Sequence, residues 1–92
     1  MSESILSNER VCYICGSPDV VVHHVFGGTA NRSISDEEGC WIYLCPPHHT
    51  GREGVHFNRA MDLRIKQLCQ ERWEELNGGR EAFRAKVGKS YL

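Results

Sequence analysis

The chain has no run of apolar residues near the roughly 20 needed to cross a bilayer. Its first residues, with Glu3, Glu9 and Arg10, lack the apolar stretch of a secretory leader. Those two absences set the expectation of a soluble, cytoplasmic protein with no membrane contact. Charge of one sign is also missing: the formal net charge is -1, which excludes a broadly basic nucleic-acid wrapper and leaves room only for a local patch. Such a patch is visible at the end of the chain, where Arg80, Arg84, Lys86 and Lys89 face only Glu81. Internal repeats, low-complexity tracts and long linkers are absent, so one domain is expected.

What is present in quantity is cysteine, five in 92 residues. A chain this short buries too little apolar surface to pin a unique fold unaided, so a staple is expected. An odd count strands one thiol if all are paired as disulfides, and a chain without a secretory leader stays in a reducing compartment, which favours thiolate ligation of a metal. Cys12-Tyr-Ile-Cys15 forms a short turn with Gly16 after it, and Cys45-Pro-Pro-His48 begins a helix. The intervening stretch, Gly16 to Leu44, is long enough to bring the second pair back to the first. Four soft or borderline ligands in a closed tetrahedron suit structural Zn2+. Cys40 competes with His48 for the fourth position, and redox chemistry at Cys12 and Cys15 lacks the βαβ setting it needs. Cys69 reads as packing.

The expected architecture is a small, zinc-stabilised α+β fold. Residues 1–10 read as a flexible tail, 11–79 as the zinc-containing domain and 80–92 as a basic extension. The β-branched run Val20–Val22, continuing through His23, His24, Val25 and Phe26, predicts a strand ended by Gly27 and Gly28. Residues 29–39, polar and carrying Asp36, Glu37 and Glu38, predict a surface loop. Trp41–Leu44 predicts a second strand. A long helix is expected from Phe57, with Phe57, Met61, Ile65, Leu68, Cys69 and Leu76 as its apolar stripe, until Asn77-Gly78-Gly79 stops it. Residues 80–87 predict a short helix anchored by Phe83 and Val87.

With His48 assigned to zinc, His23, His24, His49 and His56 remain. Neighbouring strand residues point to opposite faces, so His23 and His24 call for two roles. One imidazole binding a second metal while its neighbour acts as general base, with His49 and His56 completing the shell, supports metal-assisted phosphodiester hydrolysis.

The order Cys-x-x-Cys, His-His followed by an apolar residue, and a strand ending in Leu-Cys-x-x-His-His resembles the HNH endonucleases, whose ββα-metal fold often carries an extra zinc knuckle. The resemblance spans about residues 11 to 58. The runs His23–Arg32 and Val55–Asn58 are similar to small phage-type members. It implies His23 as a metal ligand, His24 as the general base and His49 as a metal ligand at the helix head. It also implies a catalytic divalent ion such as Mg2+ or Mn2+, and double-stranded DNA as the partner. Two positions depart from the pattern: Cys40 stands where the family usually has Asn, and Glu53 where its last histidine falls. His56 is taken as that ligand, carried back by a loop at Gly51 to Gly54, with Glu53 as an oxygen-donating alternative. Asn31 or Asn58 would orient the base, and Arg32, Arg52 and Arg59 would reach phosphates. Cutting both strands leaves pairing of two chains open. The competing reading is a zinc-stapled module that binds DNA or protein without chemistry.

Overall fold

A computed structural model describes residues 3–27, 29–52 and 54–92. Met1, Ser2, Gly28 and Glu53 lie outside the described residues, as do the side chains of Thr29 and Ala30. The fold is a small α+β arrangement. Along the chain come β1 (Val21–His24), α1 (Thr29–Glu38), β2 (Trp41–Leu44), α2 (Pro46–His49), α3 (Arg59–Asn77) and α4 (Arg80–Val87). The strands pair antiparallel, with Val21 opposite Leu44, Val22 opposite Tyr43, His23 opposite Ile42 and His24 opposite Trp41. β2 is the more buried strand, with Ile42 and Leu44 fully enclosed. No helix among the described residues is long and apolar enough to cross a membrane.

The expected loop at 29–39 is instead helix for most of its length. Its polar sequence conceals two inward positions: Ile34 packs against the core, and Ser35 is fully buried. The Ser35 hydroxyl donates to the Phe26 carbonyl (3.0 Å) and accepts from the Phe26 amide (3.2 Å), so it pairs both backbone groups just beyond β1. Gly39 ends the helix at φ 72°. A side chain there would strike the Glu3 carbonyl as well as strain the backbone.

That close approach belongs to the segment expected to trail free. Ile5 N donates to the Gly39 carbonyl (3.0 Å), and the buried Ser4 hydroxyl donates to the Trp41 carbonyl (2.6 Å). Ile5 and Leu6 pack on the core. Residues 4–8 are therefore docked.

Helix α3 starts later than its apolar pattern suggested, because Asn58 caps it by accepting from Met61 N (3.1 Å). Phe57 falls outside the helix and is 70% exposed, and Leu76 is exposed too. The buried face runs instead through Ile65, Cys69, Gln70 and Trp73. Gly78 closes the helix in the left-handed conformation. In α4, Phe83 and Val87 are buried as expected. Phe83 meets Phe26 and Trp73 edge-on at 5.3 and 5.5 Å between centroids, and Tyr91 stacks on Phe26 at 5.4 Å. Gln70 pins the last residues: its amide nitrogen donates to Ser90 Oγ (2.9 Å) and its oxygen accepts from Tyr91 N (2.7 Å). The segment after residue 80 is thus part of the same core.

Candidate functional site

The first donor cluster is Cys12, Cys15, Cys45 and His48, whose ligand atoms all lie within 4.8 Å of one another. A tight turn presents the first two: Gly16 N donates to the Cys12 carbonyl (2.8 Å), and Gly16 adopts φ 78°. Tyr13 N donates to the Tyr43 carbonyl (2.8 Å) and fastens this turn to β2. Cys45 caps α2, and Pro46 and Pro47 fill the first helical positions without wasting an N–H. One turn on, His48 Nδ1 lies 3.1 Å from Cys45 Sγ and 3.7 Å from Cys12 Sγ, while the Cys15 and Cys45 sulfurs are 3.6 Å apart. Zinc bonds of about 2.3 Å to sulfur and about 2.0–2.1 Å to nitrogen give tetrahedral edges of about 3.5–3.8 Å. The cluster fits a metal such as zinc.

The electrostatics agree. Burial alone pushes the Cys12 thiol up, but the amides of Cys45, Cys15 and Ile14 and the Cys15 thiol outweigh it and bring the group down to about 6. Cys45 moves the other way, raised by burial and by the neighbouring thiols of Cys12 and Cys15. Thiolates this close repel one another unless a cation sits among them. Cys40, the alternative ligand, is outside the cluster. It is buried against Cys69, whose thiol is raised first by the hydrogen bond with Cys40 and then by burial.

The second cluster is His23, His49 and His56, with ligand nitrogens again within 4.8 Å. His23 comes from β1 and His49 from the end of α2. His56 is returned to them by a turn that depends on glycine. A Cβ on Gly54 would lie 2.7 Å from the His49 carbonyl oxygen, and one on Gly51 would lie 2.5 Å from that of Pro47. Val55 N donates to His48 O (2.9 Å), and His56 N to His49 O (3.4 Å). The Nε2 atoms of His49 and His56 are 3.1 Å apart, and the His23 ring lies 5.3 Å from each of the other two. His23 is 7% exposed, and its Nε2 is buried with no hydrogen-bond partner among the described residues. Burial, then the neighbouring His49 and His56, push His23 down to about 4; His49 is lowered by burial and by His56. Neutral imidazoles with an orphaned buried nitrogen are the form in which histidine binds a metal. Glu53 lies outside the described residues.

His23 and His24 both line a cleft of about 320 Å³, shared with His56, Arg59, Asp62 and Lys66. His24 is set opposite Trp41 and reaches α1, where its Nε2 lies 2.7 Å from Asp36 Oδ1. Arg59 is exposed at the first turn of α3, and Lys66 pairs with Asp62 at 2.7 Å. The remaining expected site residues are elsewhere. Asn58 spends its side-chain oxygen on capping α3; Asn31 lies half-buried in α1, outside the cleft lining. Arg32 and Arg52 are exposed and also outside that lining. Sequence reasoning missed Asp36, Asp62 and Lys66. The Asp62–Lys66 spacing carries an i,i+4 signal, whereas Asp36 carries none until α1 is known to be helical.

Compared with known protein families, with curated proteins and with solved structures, the chain matches none of them.

Proposed function

We propose that the chain is a metal-dependent endonuclease that hydrolyses DNA phosphodiester bonds, with β1, β2 and α2 as an HNH-like ββα-metal core. The observation that carries this reading is the orphaned His23 Nε2, buried beside His49 and His56 at a cleft that His24 also lines. A divalent ion on those three imidazoles would supply Lewis-acid stabilisation of charge on the phosphoryl and leaving oxygens. All-nitrogen donors suit Zn2+ or Ni2+ better than Mg2+ or Mn2+, which prefer oxygen. The protein's own groups do the rest. His24 takes the proton from an attacking water, while Arg59 and Lys66 hold the phosphodiester by charge and hydrogen bonds. His23 and Val55, both buried, form the floor of the cleft in this reading.

The test is conversion of supercoiled plasmid to open circle by zinc-loaded protein, across a panel of added divalent ions. His24→Ala should lower the rate by about 10²–10⁴-fold, the usual contribution of a general base, with melting temperature and zinc content kept. Equal cutting by mutant and wild type removes His24 from the reaction.

A second reading, a zinc-stapled module that binds DNA or protein without cutting, draws on Cys40 and Asn58. The first stands where an asparagine was expected and is buried against Cys69, and the second is consumed by its helix. This reading expects one tightly held zinc, no second ion and no cleavage. A metal titration of zinc-loaded protein separates the two.

A further inference from the structure

His24 has two ring nitrogens, and one of them is engaged by a carboxylate. Its Nε2 lies 2.7 Å from Asp36 Oδ1, within the range of a charge-assisted hydrogen bond. An ionised carboxylate can only accept, so Nε2 must carry the hydrogen and the lone pair must be on Nδ1. The contact differs from an ordinary surface ion pair in how it is held. Asp36 follows Ser35, whose buried hydroxyl is bonded to both the amide and the carbonyl of Phe26, two residues beyond His24. Two residues on, Glu38 accepts from the Trp73 indole at 3.2 Å. The helix is thereby clamped on both sides of Asp36. Among the described residues no lysine or arginine competes for the Asp36 carboxylate.

We infer that Asp36 is a positioning residue, an inference that rests on the nuclease reading: its carboxylate holds the His24 ring as the Nε2–H tautomer and leaves Nδ1 to accept the proton. The balance is simple. The attacking water loses a proton to Nδ1 as its oxygen bonds phosphorus and the P–O bond to the leaving sugar oxygen breaks; that oxygen takes up a proton from solvent, and the imidazolium formed is stabilised by the Asp36 charge without that carboxylate being protonated. Removing such a partner characteristically costs activity and spares the fold, because it shifts the population of the competent tautomer and weakens the base.

The experiment uses full-length, zinc-loaded protein as wild type, Asp36→Ala and Asp36→Asn. Long-range proton–nitrogen NMR of the imidazoles should read Nε2–H at His24 in the wild type and lose that preference in Asp36→Ala. In plasmid nicking, Asp36→Ala should lose roughly 10–100-fold in kcat with KM unchanged. Asp36→Asn, which keeps an accepting oxygen but no charge, should fall between. Melting temperature and zinc content should hold, since the Asp36 side chain is 44% exposed. Wild-type kcat in Asp36→Ala overturns the inference, as does an Nδ1–H ring in the wild type or a loss confined to KM. If the wild type fails to cut whichever ion is added, the nuclease reading fails by itself; the tautomer comparison then still upholds or overturns the hold of Asp36 on the ring.

Discussion

Stripping the metal that Cys12, Cys15, Cys45 and His48 are proposed to hold is the perturbation with the largest expected effect, and its size can be worked out. A 92-residue domain at about 0.05–0.15 kcal/mol per residue has a total stability of about 5–14 kcal/mol. Structural zinc in small knuckles binds with about 10–16 kcal/mol of apparent free energy, which is folding free energy when the site exists only in the folded state. The two are of the same size. Besides the metal, the knuckle is held by the packing of Cys12, Cys45 and Ile14 on the core and, among the described residues, by a backbone hydrogen bond from Tyr13 N to Tyr43 O that fastens the turn to β2, a bond with a net worth of about 0.5–1.5 kcal/mol. Even a net loss of about 4 kcal/mol would lower the melting temperature by about 16–32 °C. The assay is circular dichroism and thermal melting before and after chelation, with released zinc quantified. Near-UV signal from Trp41 and Tyr43, which contact each other edge-on at 5.1 Å beside the knuckle, should collapse. Complete metal release with an unchanged near-UV spectrum and melting curve would refute the structural role of the cluster.

His56→Ala removes an exposed ligand from the second cluster. It should weaken added-ion affinity by more than tenfold, above about 1.4 kcal/mol, while zinc at the cysteines is retained; calorimetric titration of zinc-loaded protein checks it, and unchanged affinity refutes the ligand role. In a competition titration the same site should take Zn2+ or Ni2+ in preference to Mg2+, and equal affinities would remove the three-imidazole site. Phe83→Ala empties the contact point of Phe26 and Trp73 and should cost about 3–5 kcal/mol in urea unfolding. Ser35→Ala leaves the buried Phe26 amide and carbonyl without their partner and should cost about 1–3 kcal/mol by the same measurement.

Much of the fold was legible because local chemistry and burial agreed. The second strand, the proline-started α2 and the α4 helix with Phe83 and Val87 inward lie where residue spacing put them, and β1 falls inside its expected run but ends at His24, short of Val25 and Phe26. The helix at Thr29–Glu38 was not legible, for a definite reason. Asp36, Glu37 and Glu38 crowd its C-terminal end, where the helix dipole disfavours negative charge. Two of those acids answer to distant partners, Asp36 to His24 and Glu38 to the Trp73 indole. Tertiary contacts that no sequence window contains therefore override a local preference. The docking of residues 4–8 was hidden in the same way, since it depends on the Ser4 hydroxyl finding the Trp41 carbonyl.

The candidate site divides along the same line. Candidate metal donors announce themselves because their chemistry is intrinsic and their spacing local: Cys12 with Cys15, and Cys45 with His48; the His23-His24 pair stands out on its strand in the same way. The return of His56 to His49 could be read from Gly51 and Gly54, the residues whose missing side chains let that turn lie against α2. Groups that orient or neutralise a site have no such mark. An aspartate in an acidic triplet looks solvated until the strand and helix are placed together, and asparagines, chosen by analogy, turned out to serve a helix cap in one case and to lie outside the cleft lining in the other. Donor sets can thus be read along the chain, whereas the partners that tune them must be read across it. The His24–Asp36 contact is where that difference bears most directly on chemistry.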